Sequence, residues 1–188
     1  MNDDSDIKIF TPMAKKTAEE NFAYTDEVKK HQLNGNIRKA RELGRAIARS
    51  FVSDESVSAR AELAKENGVE ANADILRQLM VLSVFSAEYC VSRCVTPCML
   101  AKETQSAMYA EMLKSAPGAY DELLRSAAFS FYYMTVGDRS ASPDDIASTF
   151  AMVCGDKHGK ALFKLGRTLY ESFVQKYGKM IADVDFEK

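Results

Sequence analysis

One stretch limits the possible folds of this chain more than any other. Residues 72–95, NADILRQLMVLSVFSAEYCVSRCV, carry apolar side chains around most of a helical circumference. A helix of that kind is buried on several sides, because a peripheral helix needs only one apolar stripe. Pro97 lies just beyond its last turn and restricts Thr96, so we expect the helix to end there. Other helices are then needed to surround it.

Helix start and stop signals recur along the rest of the chain, and no run of alternating β-branched residues is bounded by turns. Asn36, Ser53 and Ser142 are predicted N-caps, while Gly68 and Gly137 are predicted ends. The pattern predicts an all-α fold, a single-domain multi-helix bundle of about eight helices. It occupies residues 13–188 and follows a disordered leader at 1–12. The predicted helices cover residues 13–32, 37–51, 54–67, 72–95, 98–115, 117–136, 143–154 and 158–177.

The apolar content of these helices predicts how they are arranged. The first three are amphipathic and only modestly apolar, so we expect them at the periphery. The helices at 72–95 and 117–136 are the most apolar, and we expect them to form the central pair. The last helix is predicted to end at Gly178.

Composition and the N-terminal sequence predict a cytoplasmic protein. With 46% apolar and 28% charged residues, the chain has the balance of a soluble globular protein. Its apolar stretches are interrupted before the roughly 18 residues typical of a membrane span, so no membrane partner is expected. The opening MNDDSDIKIF is acidic where a secretory signal is basic. Cysteines in the cytosol are expected to be reduced thiols.

Basic residues are concentrated in one segment although the net charge is only -2. Residues 29–49 contain seven Lys and Arg against the single Glu42. Four arginines share one stripe of the second helix and are the candidate site for an anion or a partner: Arg38, Arg41, Arg45 and Arg49. An acidic protein surface is favoured over nucleic acid, because no helix-turn-helix pairing or interleaved aromatic residue accompanies the stripe. The alternative is pairing with acidic residues of neighbouring helices.

The cysteines raise the question of a metal site. Cys90, Cys94 and Cys98 are four residues apart, and Cys154 precedes His158 by four, so a Cys₃His zinc site can be imagined. The favoured interpretation is core packing, because buried free cysteine packs as a small hydrophobe, and a redox-active thiol is the remaining alternative. Cys90 and Cys94 continue a seam that includes Leu76, Met80, Ser83 and Ala87. We therefore predict no metal and no cofactor.

The aromatic segment AAFSFYYMTV is the second candidate site. Within one turn and a half, nearly the whole helix circumference is covered by Phe129, Phe131, Tyr132, Tyr133 and Met134. Core packing is favoured for most of them, and the alternative is a pocket or a dimer face, where tyrosine keeps its hydroxyl paired.

Recognisable catalytic motifs are missing from the sequence. Only two histidines are present, no G-x-S-x-G elbow occurs, and GDKHGKA departs from a phosphate-binding loop in spacing. We predict no catalytic residues and a non-catalytic interaction or regulatory module, a homodimer that binds a protein partner or itself. The alternative is an apolar small-molecule binder or an enzyme with an inter-helix pocket between 72–95 and 117–136, lined by aromatic and tyrosine side chains.

Overall fold

The computed structural model describes residues 18–137, 142–156 and 159–187, and within them nine α-helices and no strand are found. The predicted all-α, single-domain bundle is confirmed. The predicted leader at residues 1–12 lies outside the described residues. The helices are α1 (Ala18–Leu33), α2 (Asn36–Val52), α3 (Asp54–Glu66), α4 (Ala73–Cys94), α5 (Cys98–Ser115), α6 (Pro117–Arg125), α7 (Ala127–Val136), α8 (Pro143–Val153) and α9 (Lys160–Ala182).

Several helix ends follow from local chemistry as predicted. Ser53 Oγ accepts a hydrogen bond from the backbone N–H of Ser56, which caps α3. Ser142 Oγ does the same for α8 with the N–H of Asp145. Gly68 follows α3 in the left-handed conformation, with φ of 73°, where a glycine is least strained.

Three predicted boundaries are wrong. Residues 117–136 form two helices, because Ser126 adopts extended backbone with ψ of 114°, and this raises the helix number to nine. α9 continues through Gly178, since burial of Tyr177 and Ile181 offsets the roughly 1 kcal/mol that a helical glycine costs. Asn36 is not an N-cap but the first residue of α2, and it is fully buried.

α4 is the central helix, as predicted. Every residue from Leu79 to Ala87 is buried. The helix contacts α2, α3, α5, α7, α8 and α9. The near-continuous apolar circumference of the segment is therefore matched by neighbours on all sides.

α2 is amphipathic, as predicted, with one buried stripe and an exposed opposite side. It forms the most extensive helix pair of the bundle with α5. At Gly44 the two helices approach so closely that a Cβ atom would lie 2.2 Å from the carbonyl oxygen of Thr104. The stripe of α2 that faces inward is buried: Ile37, Ala40, Leu43, Ile47 and Phe51.

The predicted central pair of 72–95 and 117–136 is also wrong, because α4 contacts α9 far more than α6 or α7. Ser83 and Tyr177 share a hydrogen bond of 2.6 Å between their hydroxyls, and Cys90 Sγ lies 3.9 Å from the Val174 carbonyl oxygen. The contact moves from Tyr177 back to Val174 on α9 as it moves forward from Ser83 to Cys90 on α4, so the two helices are antiparallel. α6 and α7 lie at the edge of the bundle instead.

Candidate functional site

The arginine stripe lies on the exposed side of α2, and its four residues do not all belong to one surface. All four arginines are exposed. Three of them line a groove of about 720 Å³ between α2 and α5, whereas Arg38 lies outside it. The lining residues are Arg41, Arg45 and Arg49 from α2, and Glu103, Ser106, Ala107, Ala110, Glu111 and Lys114 from α5.

Two arginines of the groove are held by carboxylates. Arg41 Nε donates to Glu103 Oε2 at 2.8 Å, and Arg49 Nε donates to Glu111 Oε1 at 2.9 Å. Both pairs join residues 62 positions apart, so α2 and α5 run parallel and in register. Arg45 lies one turn from each anchored arginine and forms no ion pair with any described residue.

The electrostatics of the groove favour anions. The pKa of Glu111 is lowered, first by the hydrogen bond from Arg49 and then by the charges of Arg49, Lys114 and Arg45, while partial desolvation opposes the shift. Along the groove Arg41, Arg45, Arg49 and Lys114 face the two acidic side chains of Glu103 and Glu111. The groove therefore carries a formal charge of +2.

The predicted alternative, pairing with acidic residues of a neighbouring helix, is met by Arg41 and Arg49, but Glu103 and Glu111 were not named as partners, although a signal for them exists. Glu103 and Glu111 are eight residues apart, as are Arg41 and Arg49. Two parallel helices in register place such matched intervals side by side. The pairing depends on which helix neighbours α2, and the sequence pattern does not reveal that.

The aromatic residues of α7 do not form one common surface. Tyr132 is fully buried and stacks on Phe85 at a ring-centroid distance of 5.0 Å. Phe129 is half-buried, whereas Phe131 and Tyr133 are exposed. Tyr132 is therefore a core residue. Phe131 and Tyr133 are exposed, as residues of a dimer face would be in an isolated subunit. The hydroxyl of Tyr132 has no hydrogen-bond partner among the described residues.

A second polar cluster, also missed from sequence, lies beside α7. The half-buried Glu88 of α4 accepts a hydrogen bond of 2.5 Å from the Tyr109 hydroxyl, and the Tyr133 hydroxyl is bonded to it as well. Burial, followed by the charge of Glu88, raises the pKa of both tyrosines well above the usual range. Both phenols therefore remain protonated hydrogen-bond donors. Each of the three residues comes from a different helix, so no local sequence motif predicts the cluster.

The four cysteines are spread over different environments. Cys90 is buried, Cys154 is half-buried, and Cys94 and Cys98 are exposed. The predicted place of Cys94 in the packing seam is wrong, because Val91 and Val95 occupy the buried face at that end of α4. Within the described ranges no three Cys, His, Asp or Glu side chains are grouped so that they could hold a metal ion. His158 lies outside those ranges.

α4 is long and apolar enough, by length and composition, to cross a membrane. Core helices of soluble proteins have the same character, and 67% of its most apolar 18-residue window is buried inside the bundle.

Comparisons with known protein families, with curated proteins and with solved structures find no match for the chain. Its function is therefore inferred from the residues themselves.

Proposed function

We propose that the protein acts by binding, as an intracellular interaction module whose α2–α5 groove takes an acidic segment of a partner protein. The observation that carries this proposal is Arg45, an exposed guanidinium without an ion pair among the described residues. It lies between Arg41 and Arg49, which Glu103 and Glu111 hold in place. A pre-organised cationic groove loses little conformational entropy when an anion binds.

The size of the groove suits a short peptide segment. Arg41 and Arg49 are separated by eight residues of helix, a rise of about 12 Å. An extended chain covers that distance in about four residues. Ser106, Ala107 and Ala110 form a floor of small side chains, which lets a backbone approach closely.

A protein partner fits the groove better than nucleic acid does. None of the described groove residues is aromatic, so bases have no ring to stack on. An acidic peptide can instead place one carboxylate on Arg45 and others on the outward-facing donors of its neighbours.

The proposal is tested with a fluorescein-labelled peptide of alternating Asp and Glu residues, followed by fluorescence anisotropy at low and physiological salt. Arg45→Glu is expected to weaken binding about tenfold or more, since it replaces an attraction by a repulsion. Arg38→Glu is the matched control, because it makes the same charge change on the same helix outside the groove. Equal losses in both variants would show that the peptide senses net charge only. Tighter binding of a single-stranded DNA oligomer than of the peptide would favour nucleic acid.

We further propose that the protein is a homodimer, with the exposed face of α7 against a second copy. α7 contains no charged residue, yet Met134 is 76% exposed and Phe131 is 41% exposed. In a two-fold symmetric dimer the patch of one subunit contacts the same patch of the other subunit. A neutral apolar patch meets that condition without repulsion between like charges.

Native mass spectrometry and light scattering test the dimer. Met134→Lys is expected to convert the dimer to a monomer, because it buries an unpaired charge in each half of the interface. Leu33→Lys is the control, since Leu33 is an exposed apolar residue at the end of α1, a helix that packs against α2. A wild-type protein that is monomeric at tens of micromolar would exclude the dimer.

A further inference from the structure

A small cavity lies between α5, α6 and α7, apart from the arginine groove. Its volume is about 230 Å³, and the rings of Tyr109, Tyr120 and Phe129 line it together with Ser126 and Ser130. It forms where α6 and α7 meet at an angle, at the extended backbone of Ser126. Pockets for drug-sized ligands are generally larger, about 300 Å³ and above, so this one suits a small ligand or the head of a longer one.

The aromatic rings at the cavity form walls instead of a stack. The rings of Tyr109 and Tyr120 have centroids 6.3 Å apart and planes at 67°. The ring of Phe129, the third ring of the lining, lies 5.4 Å from the ring of Tyr133 outside the lining, with the two planes at 60°. In an inclined pair each ring keeps at least one π face that the other ring does not cover. A π face carries partial negative charge and attracts cations.

Glu88 adds a full negative charge behind one of these walls. Its carboxylate accepts hydrogen bonds from the hydroxyls of Tyr109 and Tyr133, and it forms no ion pair with any described residue. A half-buried carboxylate without a cation is costly unless a partner supplies the opposite charge. The hydrogen bond to Glu88 also enriches the electron density of the Tyr109 ring, which strengthens its attraction for a cation.

We propose that this cavity binds an organic cation of the quaternary ammonium class, with the ammonium head between Tyr109, Tyr120 and Phe129. A primary ammonium needs three hydrogen-bond acceptors, whereas this lining, apart from its two serines, consists of three aromatic rings and of Leu123 and Leu124. A trimethylammonium head needs no acceptor, because it has no N–H group. Ring faces and one nearby negative charge satisfy it. This site is independent of the proposed protein-binding groove.

The test is an NMR titration of the protein with choline chloride and with 3,3-dimethyl-1-butanol, which has the same shape without the charge. Choline is expected to shift the resonances of Tyr109, Tyr120 and Phe129, and the neutral alcohol to bind about tenfold more weakly. Equal affinities would overturn the proposal, since an apolar cavity alone would then explain binding.

Variants separate the charge from the rings. Glu88→Gln keeps an acceptor for Tyr109 and removes the charge, so choline affinity should fall about tenfold while affinity for the neutral alcohol stays. Tyr120→Leu should weaken binding of choline, and Tyr120→Phe should preserve it because the ring remains. Tyr89→Leu, the same change at a ring outside the lining, is the control. Unchanged choline binding in a folded Glu88→Gln protein would refute the role of the carboxylate.

The same head group occurs on small metabolites and on trimethylated lysine. A peptide with a central trimethyllysine and its unmethylated counterpart are therefore titrated in parallel. Tighter binding of the methylated peptide than of choline would assign the cation to a protein side chain. Tighter binding of choline would assign it to a free small molecule. Binding of neither overturns the proposal.

Discussion

The side-chain amide of Asn36 is hydrogen-bonded at both ends to the backbone of Glu187, 151 positions further along the chain. Oδ1 accepts from the Glu187 N–H at 2.9 Å, and Nδ2 donates to the Glu187 carbonyl at 2.7 Å. Nδ2 also lies 2.9 Å from His31 Nδ1. Because Asn36 is fully buried, this amide ties the C-terminal segment to the start of α2.

Replacing Asn36 by Ala is expected to release that segment. The free energy of unfolding should fall by about 1–2 kcal/mol, because buried hydrogen-bonding groups lose their partner. Hydrogen exchange at the Glu187 amide should become faster, while exchange in α4 changes little. Gln32→Ala, which removes an exposed amide three residues before Gly35, is the control. Unaltered exchange at Glu187 would mean that the segment is held by other contacts.

Two glycines in helices should respond to alanine in opposite directions. A Cβ atom at Gly44 would lie 2.2 Å from the Thr104 carbonyl oxygen and 2.9 Å from the Met108 nitrogen. These are backbone atoms, so α2 and α5 would have to separate, and we expect a loss of about 3 kcal/mol. At Gly178 a Cβ atom would meet nothing within 4 Å. Gly178→Ala should therefore stabilise α9 by about 0.5–1 kcal/mol. Urea unfolding of both variants measures whether each substitution raises or lowers the free energy of unfolding.

Glu111 makes stability depend on acid pH through Arg49. Its pKa is lowered in the folded protein, chiefly by the Arg49 hydrogen bond. Its contribution is therefore full above the unfolded pKa, about 4.3, and is lost as pH falls through the lower folded value. In Arg49→Gln the pKa of Glu111 should rise in an NMR titration. The stability difference between wild type and this variant should shrink below about pH 4. A matching change in Arg38→Gln would implicate net charge instead.

Thiol reactivity should divide the cysteines into two classes. Burial raises the pKa of Cys90 and of Cys154 to about 12 each, so little reactive thiolate forms at neutral pH. Cys94 and Cys98 are exposed. Brief alkylation followed by peptide mass spectrometry should label Cys94 and Cys98 first, and all four once the protein is unfolded in urea. Early labelling of Cys90 would contradict its position against α9.

Features that depend on a few neighbouring residues were predictable. The caps at Ser53 and Ser142 and the end at Gly68 each arise within one helical turn, from a side-chain oxygen or a left-handed glycine. The burial of α4 was predictable because apolar side chains surround most of its circumference. The break at Ser126 was missed, because residues 117–136 carry no glycine or proline near that serine to mark the end of a helix.

The sequence alone determined that this chain forms an all-α bundle around residues 73–94, since helix periodicity and capping are local properties. Only the tertiary structure decided which helices meet. Because Gly44 has no side chain, α5 packs closely against α2, and that contact pairs Arg49 with Glu111. Asn36 and Glu187, like Glu88 and Tyr109, are joined by the same kind of long-range contact. Amphipathic helices carry similar apolar stripes, so side-chain volume at the crossing points selects the partner, and a pattern along one helix does not record it.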